Sequence, residues 1–382
     1  MRAGPGQTVA GRYQVTDRPA AVGPGLGRIA VDGRTGVRVL LEAVELPELL
    51  VPELTGSTDF EGSRWLDPES VLAEVASLLA AVPEHPRLRQ SFDVTAEDGV
   101  VWLAVEEPAA TGLPELLAAG PLPPYRVAEV AADLVAALGA VHRADQVHGN
   151  VAAEHVLVCE DGAALLGGLA VGAAQEALAR ELGGGDPRRW GQARAGLVGS
   201  RAEHWPPELL TDLAAASPAT DSWALGVLLH RMLTGCGPFD EQSPTALFAA
   251  VRAGRRADSA ECGPLRPLVD RLLATDPAER PSAAEAREWL AELLADAPEP
   301  YRAVPPAEAL PALRPRRLPV RRARGPVAVR RPGPAPEVAE HARHARGAGG
   351  GRRGCCRCCW WAGWWGRWCW RWWRWCSSRG ER

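Results

Sequence analysis

The chain has 382 residues, 46% of them hydrophobic, and a formal net charge of −4. That length holds one domain core of about 250–300 residues plus a tail, and the small charge gives no overall electrostatic case for a nucleic-acid partner. All 43 basic residues are Arg, since Lys is absent throughout. Chemistry that needs a lysine ammonium is therefore excluded.

Residues 1–10 read as a short polar tail with no secretory leader. Three β-like runs follow, Tyr13–Thr16, Arg28–Val31 and Val37–Leu41, separated by the turns Gly23–Gly27 and Asp32–Gly36. A helix is predicted from Pro68 to Ala81, with Asp67 before Pro68 as its start signal and Val71, Leu72, Val75, Leu78 and Leu79 as its apolar stripe. Strands are expected near Arg89–Thr95 and Val100–Glu106. From Leu113 the period becomes helical, and Tyr125–Arg143 is the longest amphipathic run, with Val127, Val130, Leu134, Leu138 and Val141 on one face. Short strands at His155–Cys159 and Ala163–Leu166 precede helices at Ser222–Leu233, Pro244–Ala253, Gly263–Ala274 and Ala283–Ala295. A sheet-rich portion (residues 11–108) joined to a helical one (109–297) is an α+β bilobal layout. Beyond it, 298–354 is a Pro- and Arg-rich linker expected to be disordered, and 355–382 is a Cys/Trp/Arg tail. Cys159, Cys236 and Cys262 are expected to be buried, reduced thiols of a cytoplasmic domain.

Several signposts stand in a definite order. They are Gly11-Arg12-Tyr13, His85-Pro86, Val147-His148-Gly149-Asn150 with Val156-Leu157-Val158, Pro206-Pro207-Glu208, Asp221-Ser222-Trp223-Ala224-Leu225-Gly226, and Asp276-Pro277-Ala278-Glu279-Arg280-Pro281. Over residues 11–294 this resembles the Ser/Thr protein kinase family, particularly its membrane-anchored bacterial members. The resemblance implies a protein-kinase-like fold with a small β-rich N-lobe and a large helical C-lobe. It also implies structural roles for three residues: Glu208 paired with Arg280, and Asp221 accepting hydrogen bonds from the catalytic-loop backbone.

Phosphoryl transfer in that family uses a strand Lys on the phosphates, a catalytic-loop Asp as base, and Asn and Asp ligands for magnesium. At the matching positions this chain has Leu40 (or Glu42, two residues along), Asn150, His155 and Gly167. An amide cannot take a proton near neutral pH, and imidazole suits zinc or copper better than magnesium. The resemblance leaves Gly23, Gly25, Gly27, Arg38 and Glu106 as positions that would contact a nucleotide, though Pro24 removes a backbone donor and Arg38 would crowd the cleft. Glu74 matches the family's partner of the strand Lys or is a solvated helix residue. The expectation is a pseudokinase scaffold or regulator with no cofactor, no metal and an unidentified protein partner. The alternatives are a divergent active kinase using ATP and magnesium, and a nucleotide-binding switch without turnover.

The tail invites a different reading. Of the 22 residues from Cys355 to Cys376, 15 are Cys or Trp. Both codons begin with TG, so starting each codon one base earlier turns every such residue into Leu, Val or Met. Ala362 and Gly366 become Gly, and Arg371 and Arg374 become Ala where their codons are CGN. The shifted run is apolar over a length that spans a bilayer core of about 30 Å, and the Arg-rich stretch before it suits a cytoplasmic flank. The expectation is an intact gene product anchored by a single C-terminal span. A zinc site at Cys355-Cys356-Arg357-Cys358-Cys359 and a Trp/Arg surface for membrane or single strands are the weaker readings.

Overall fold

A computed structural model describes residues 4–19, 27–50, 63–184, 186–198, 203–211 and 215–297. The first sheet contains β1 (Thr8–Val9), β2 (Tyr13–Pro19), β3 (Arg28–Asp32), β4 (Arg38–Glu45), β7 (Ser91–Glu97) and β8 (Val100–Glu106). Its strand order is β1-β2-β3-β4-β8-β7, all antiparallel. A side hairpin is made by β5 (Glu48–Leu50) and β6 (Ser63–Trp65).

Side chains alternate across a strand, so β4 serves two cores at once. Leu40 and Val44 join Val71 and Val75 of α1 (Glu69–Ala81), together with Val101, Leu103 and Val105. Val39 and Leu41 turn the other way, onto Tyr13, Val15 and Trp102. Asp67 accepts the Glu69 amide at 3.0 Å and so starts α1. On the edge of the sheet Arg12 donates to Asp32 at 2.8 and 3.0 Å and to Asp93 at 2.7 Å. That guanidinium holds the Asp32 carboxyl well below the usual carboxylate range.

The helical lobe is built around α3 (Pro124–Arg143) and α7 (Pro218–Thr234). Leu134 and Leu138 of α3 share one core with Trp223, Leu225, Leu228 and Leu229 of α7. Each such buried side chain contributes about 1.5–3 kcal/mol. A small sheet, ordered β11-β10-β9, comprises β9 (Ala110–Gly112), β10 (Val156–Cys159) and β11 (Ala164–Leu166). The remaining helices are α2 (Leu113–Leu117), α4 (Leu169–Gly183), α5 (Pro187–Val198), α6 (Pro207–Thr211), α8 (Pro244–Arg252), α9 (Arg266–Leu272) and α10 (Ala283–Ala295). A Ser282–Glu285 capping box starts α10.

The structure departs from the sequence expectations in several places. The strand β1 lies inside the stretch read as a tail. The helix expected over 263–274 is split, because Gly263 (φ +56) and Pro264 interrupt it and only Arg266–Leu272 is α-helical. Cys236 is exposed and Cys159 half-buried; only Cys262 is buried, and all three are free thiols. α4 and α5 also form where no element was expected, as do β5, β6, β9 and α6. Gly23 and Gly25, the linker and the Cys/Trp tail lie outside the described residues. Among the described residues no helix is long and apolar enough to cross a membrane.

Candidate functional site

Asp221 sets the geometry from below. It sits in the first turn of α7, 1% exposed, and accepts the His148 amide and the Gly149 amide, each at 2.8 Å. His142 Nε2 lies 2.8 Å from the same carboxylate. The loop from His148 to Asn150 is thereby fixed to α7. His148 is fully enclosed, and burial pushes its pKa down to about 4 despite the nearby Asp221 charge, so the ring is neutral.

Asn150 is buried beneath α4. Its Nδ2 donates to the Gly168 carbonyl at 2.9 Å, where α4 begins. Gly172, one turn further, packs so closely that a Cβ there would come within 2.8 Å of the Asn150 Cβ. Gly168 has φ +84, and a Cβ on it would lie 2.5 Å from the His155 ring. Only glycine fits there. His155 accepts the Gly167 amide through its backbone carbonyl at 2.7 Å.

A cation that sequence reasoning missed lies behind Gly167. Arg89 is 9% exposed; its Nε donates to the Glu106 carbonyl at 2.7 Å, and its Nη1 to Glu42 at 3.0 Å. Burial pulls its pKa below the usual value against the opposing charges of Glu42, Glu106 and Glu107. A Cβ on Gly167 would lie 3.1 Å from the Arg89 Cδ, so any side chain at 167 competes with Arg89 for space. Leu40, with the same facing as Glu42, is sealed in the apolar cluster with α1 and α4. Arg38 is half-exposed and forms an ion pair with Glu107 at 3.0 Å, just past the end of β8. Gly27, at the end of its loop, accepts from Arg28 through its carbonyl.

The helix α4 occupies the space between the lobes. Its Ala170, Val171, Ala174, Ala177 and Leu178 complete the apolar cluster under the sheet. Glu74 on α1 meets Arg180 of α4, both carboxylate oxygens at 2.8 Å from Nη1. In α5, Arg194 is 4% exposed and binds Glu176 of α4 through two hydrogen bonds of 2.8 and 2.6 Å, while stacking on Trp190 at 4.4 Å. Farther out, Arg280 grips Glu208 with two bonds of 2.7 and 2.9 Å and lies 4.9 Å above the Trp223 ring.

The family model described as "Protein kinase domain" matches residues 59–290, more than half of the chain. The chain belongs to the protein kinase domain family. Among curated relatives, the kinase domain is similar to Serine/threonine-protein kinase PknL of Mycobacterium tuberculosis, 29% identical over 44% of this chain and 39% of that protein. It is also similar to Serine/threonine-protein kinase AfsK of Streptomyces coelicolor, 27% identical over 74% of this chain and 32% of that protein. Sperm motility kinase Z of Mus musculus is 28% identical over 60% of this chain and 43% of that protein. The chain thus spans less than half the length of these relatives. In kinase terms, the first sheet with α1 is the N-lobe; the resemblance gives His148–His155 the place of the catalytic loop and Gly167–Leu169 the start of the activation segment, and α4 and α5 follow it.

Proposed function

We propose that this protein is a pseudokinase, a kinase-fold scaffold or regulator that binds a protein partner and does not transfer phosphate. The observation that supports it most is the setting of Asn150. At the family's base position stands an amide that cannot accept a proton, buried under α4 and engaged with the Gly168 carbonyl.

The cofactor chemistry points the same way. Magnesium seeks hard oxygen ligands, whereas the two ligand positions hold an imidazole and a glycine whose missing Cβ is matched by Arg89. ATP with magnesium therefore does not fit the residues present. Arg89, a buried cation behind Gly167, is already engaged by Glu42 and the Glu106 carbonyl. A role in cell-envelope processes rests on analogy with bacterial members of the family.

Labelled ATP with a generic protein acceptor tests this reading, with Asn150→Ala as control. The expected outcome is no incorporation above background in either protein. Incorporation that disappears in Asn150→Ala would establish a divergent active kinase. Stabilisation by millimolar ATP without turnover would instead establish a nucleotide switch.

For the whole gene product, we propose attachment to the membrane by one C-terminal span encoded in the neighbouring frame of residues 355–378. The run of TG-initial codons supports it. Resequencing the locus decides it: a confirmed Trp-rich reading frame through Cys376 removes the anchor.

A further inference from the structure

Three separate elements converge on one guanidinium. Arg231, near the end of α7, donates through Nη2 to Glu203 of the segment before α6 at 2.9 Å, and through the same nitrogen to Glu241 in the loop between α7 and α8. Its Nε is buried without a hydrogen-bond partner among the described residues, so no carboxylate is gripped through the Nε–Nη2 fork. The two carboxyl groups are also within hydrogen-bonding reach of each other. With both ionised the cluster carries an excess negative charge, whereas one proton between them removes it.

The partners differ in their freedom. The Glu203 and Arg231 side chains are 23% and 22% exposed, and Glu241, at the rim, 37%. The Glu241 carboxyl lies over Gly237, where it leaves no room for a Cβ. The other charged groups nearby are already turned to partners. His204 sets Nε2 3.0 Å from Glu203, His230 of α7 sets Nδ1 3.0 Å from the Cys236 carbonyl, and Asp240 accepts the Gln242 amide. Burial and the Glu203 charge raise the Glu241 pKa above the ordinary carboxylate value, against the pull of Arg231. Glu203 moves the other way: despite its burial, His204 and Arg231 hold its pKa down.

We propose that Glu203, Arg231 and Glu241 form a proton-operated latch between the α7–α8 loop and the segment before α6. With one proton between the two carboxyl groups, Glu241 stays on Glu203 and Arg231 and fastens the loop of residues 235–243. Loss of that proton sets two carboxylates against each other, and Glu241, the more exposed, swings out into water. The folded chain keeps this proton at pH values above the ordinary carboxylate range, where the unfolded chain has released it. The latch therefore contributes stability at low pH that is lost as the pH rises through that interval. The inference holds whether or not the chain transfers phosphate.

Amide hydrogen exchange of the full chain at about pH 5 and about pH 7.5, corrected for the intrinsic pH dependence of exchange, tests the latch. Protection across residues 235–243 is expected to be about 2–10-fold greater at the lower pH, the worth of one hydrogen bond. Glu241→Gln keeps a neutral donor at that position, so its protection should match the acid form of the parent at both pH values. Gly237→Ala puts a methyl group where the Glu241 carboxyl rests, so its protection should match the alkaline form at both. The buried histidines destabilise the chain in acid and so act in the opposite direction. If Gly237→Ala does not fold, the parent and Glu241→Gln decide the matter. Equal protection of the parent at both pH values, a pH dependence of Glu241→Gln as large as the parent's, or a Gly237→Ala protected like the acid form overturns the latch.

Discussion

At Asn150 the difference between amide and carboxylate can be put to use. The amide nitrogen donates to the Gly168 carbonyl in a buried setting. Asn150→Asp restores the family's base in name, yet it sets a carboxylate oxygen against a carbonyl oxygen with the donor removed. The Gly168 carbonyl keeps the Gly172 amide, but losing the Asn150 bond and setting a buried carboxylate oxygen against that carbonyl costs about 1–3 kcal/mol. Asn150→Asp is therefore expected to lower the chemical-denaturation midpoint without creating phosphotransfer; a stable, ATP-consuming variant would refute the buried-amide account. Gly167 carries the same logic, because an aspartate there would drive into Arg89 and break its contact with Glu42. The residue types at these positions, an amide at 150 and a glycine at 167, could be read from the sequence, and the proposed loss of base and metal ligand is argued from them. Arg89 was not, because its role arises from distant parts of the chain: Glu42 is 47 residues away and the Glu106 carbonyl 17.

Among the elements, the α4–α5 hairpin carries most of what is particular to this chain. Its signal is present in the sequence: residues 169–182 are rich in Ala, Leu, Glu and Gln, good helix formers, with Ala170, Ala174, Ala177 and Leu178 at helical spacing and Gly183 to Gly185 as a stop. The motif-based reading places this stretch after the catalytic loop, where the signposts give no period, whereas local propensity and burial against α1 make it a helix. The longer amphipathic helices and the strands of the main sheet were legible because each has a single apolar face repeated several times. Arg194 is the residue that ties the hairpin, through two bonds to Glu176 and its stack on Trp190. Arg194→Ala removes both contacts. Glu176 retains partial access to water, which limits the electrostatic loss, so the expected cost is about 1–3 kcal/mol. Faster amide hydrogen exchange across residues 169–198, with α3 and α7 unchanged, is the expected signature. Uniformly faster exchange throughout the helical lobe would mean that the hairpin is not a separable unit.

For the whole molecule, the common thread is that the loop from His148 to Asn150 is tied down by contacts within the chain. That arrangement has a thermodynamic consequence at mildly acidic pH. His148 sits at the junction of loop, α7 and activation segment, and its pKa falls from 6.5 to about 4 on burial. Between those values the unfolded chain binds a proton that the folded chain does not, so stability rises with pH across that window. Above pH about 6.5 the ring is neutral in both states and contributes no slope. Acidification from 6.5 toward 4 should then remove about 3 kcal/mol through this residue, at about 1.4 kcal/mol per pH unit. His85 and His230 are also depressed by burial and add to the same trend, while Asp32, held low by Arg12, is lost only in stronger acid. The parent must therefore be compared with His148→Gln, which retains an acceptor for the Asn150 amide but has no titrating ring. Denaturant unfolding of both proteins from pH 7.5 to 4.5 is expected to give parallel curves above 6.5 and a steeper fall for the parent below it. Curves that remain parallel throughout would mean that His148 takes up a proton in the folded protein, and the buried junction around its ring would have to open to water.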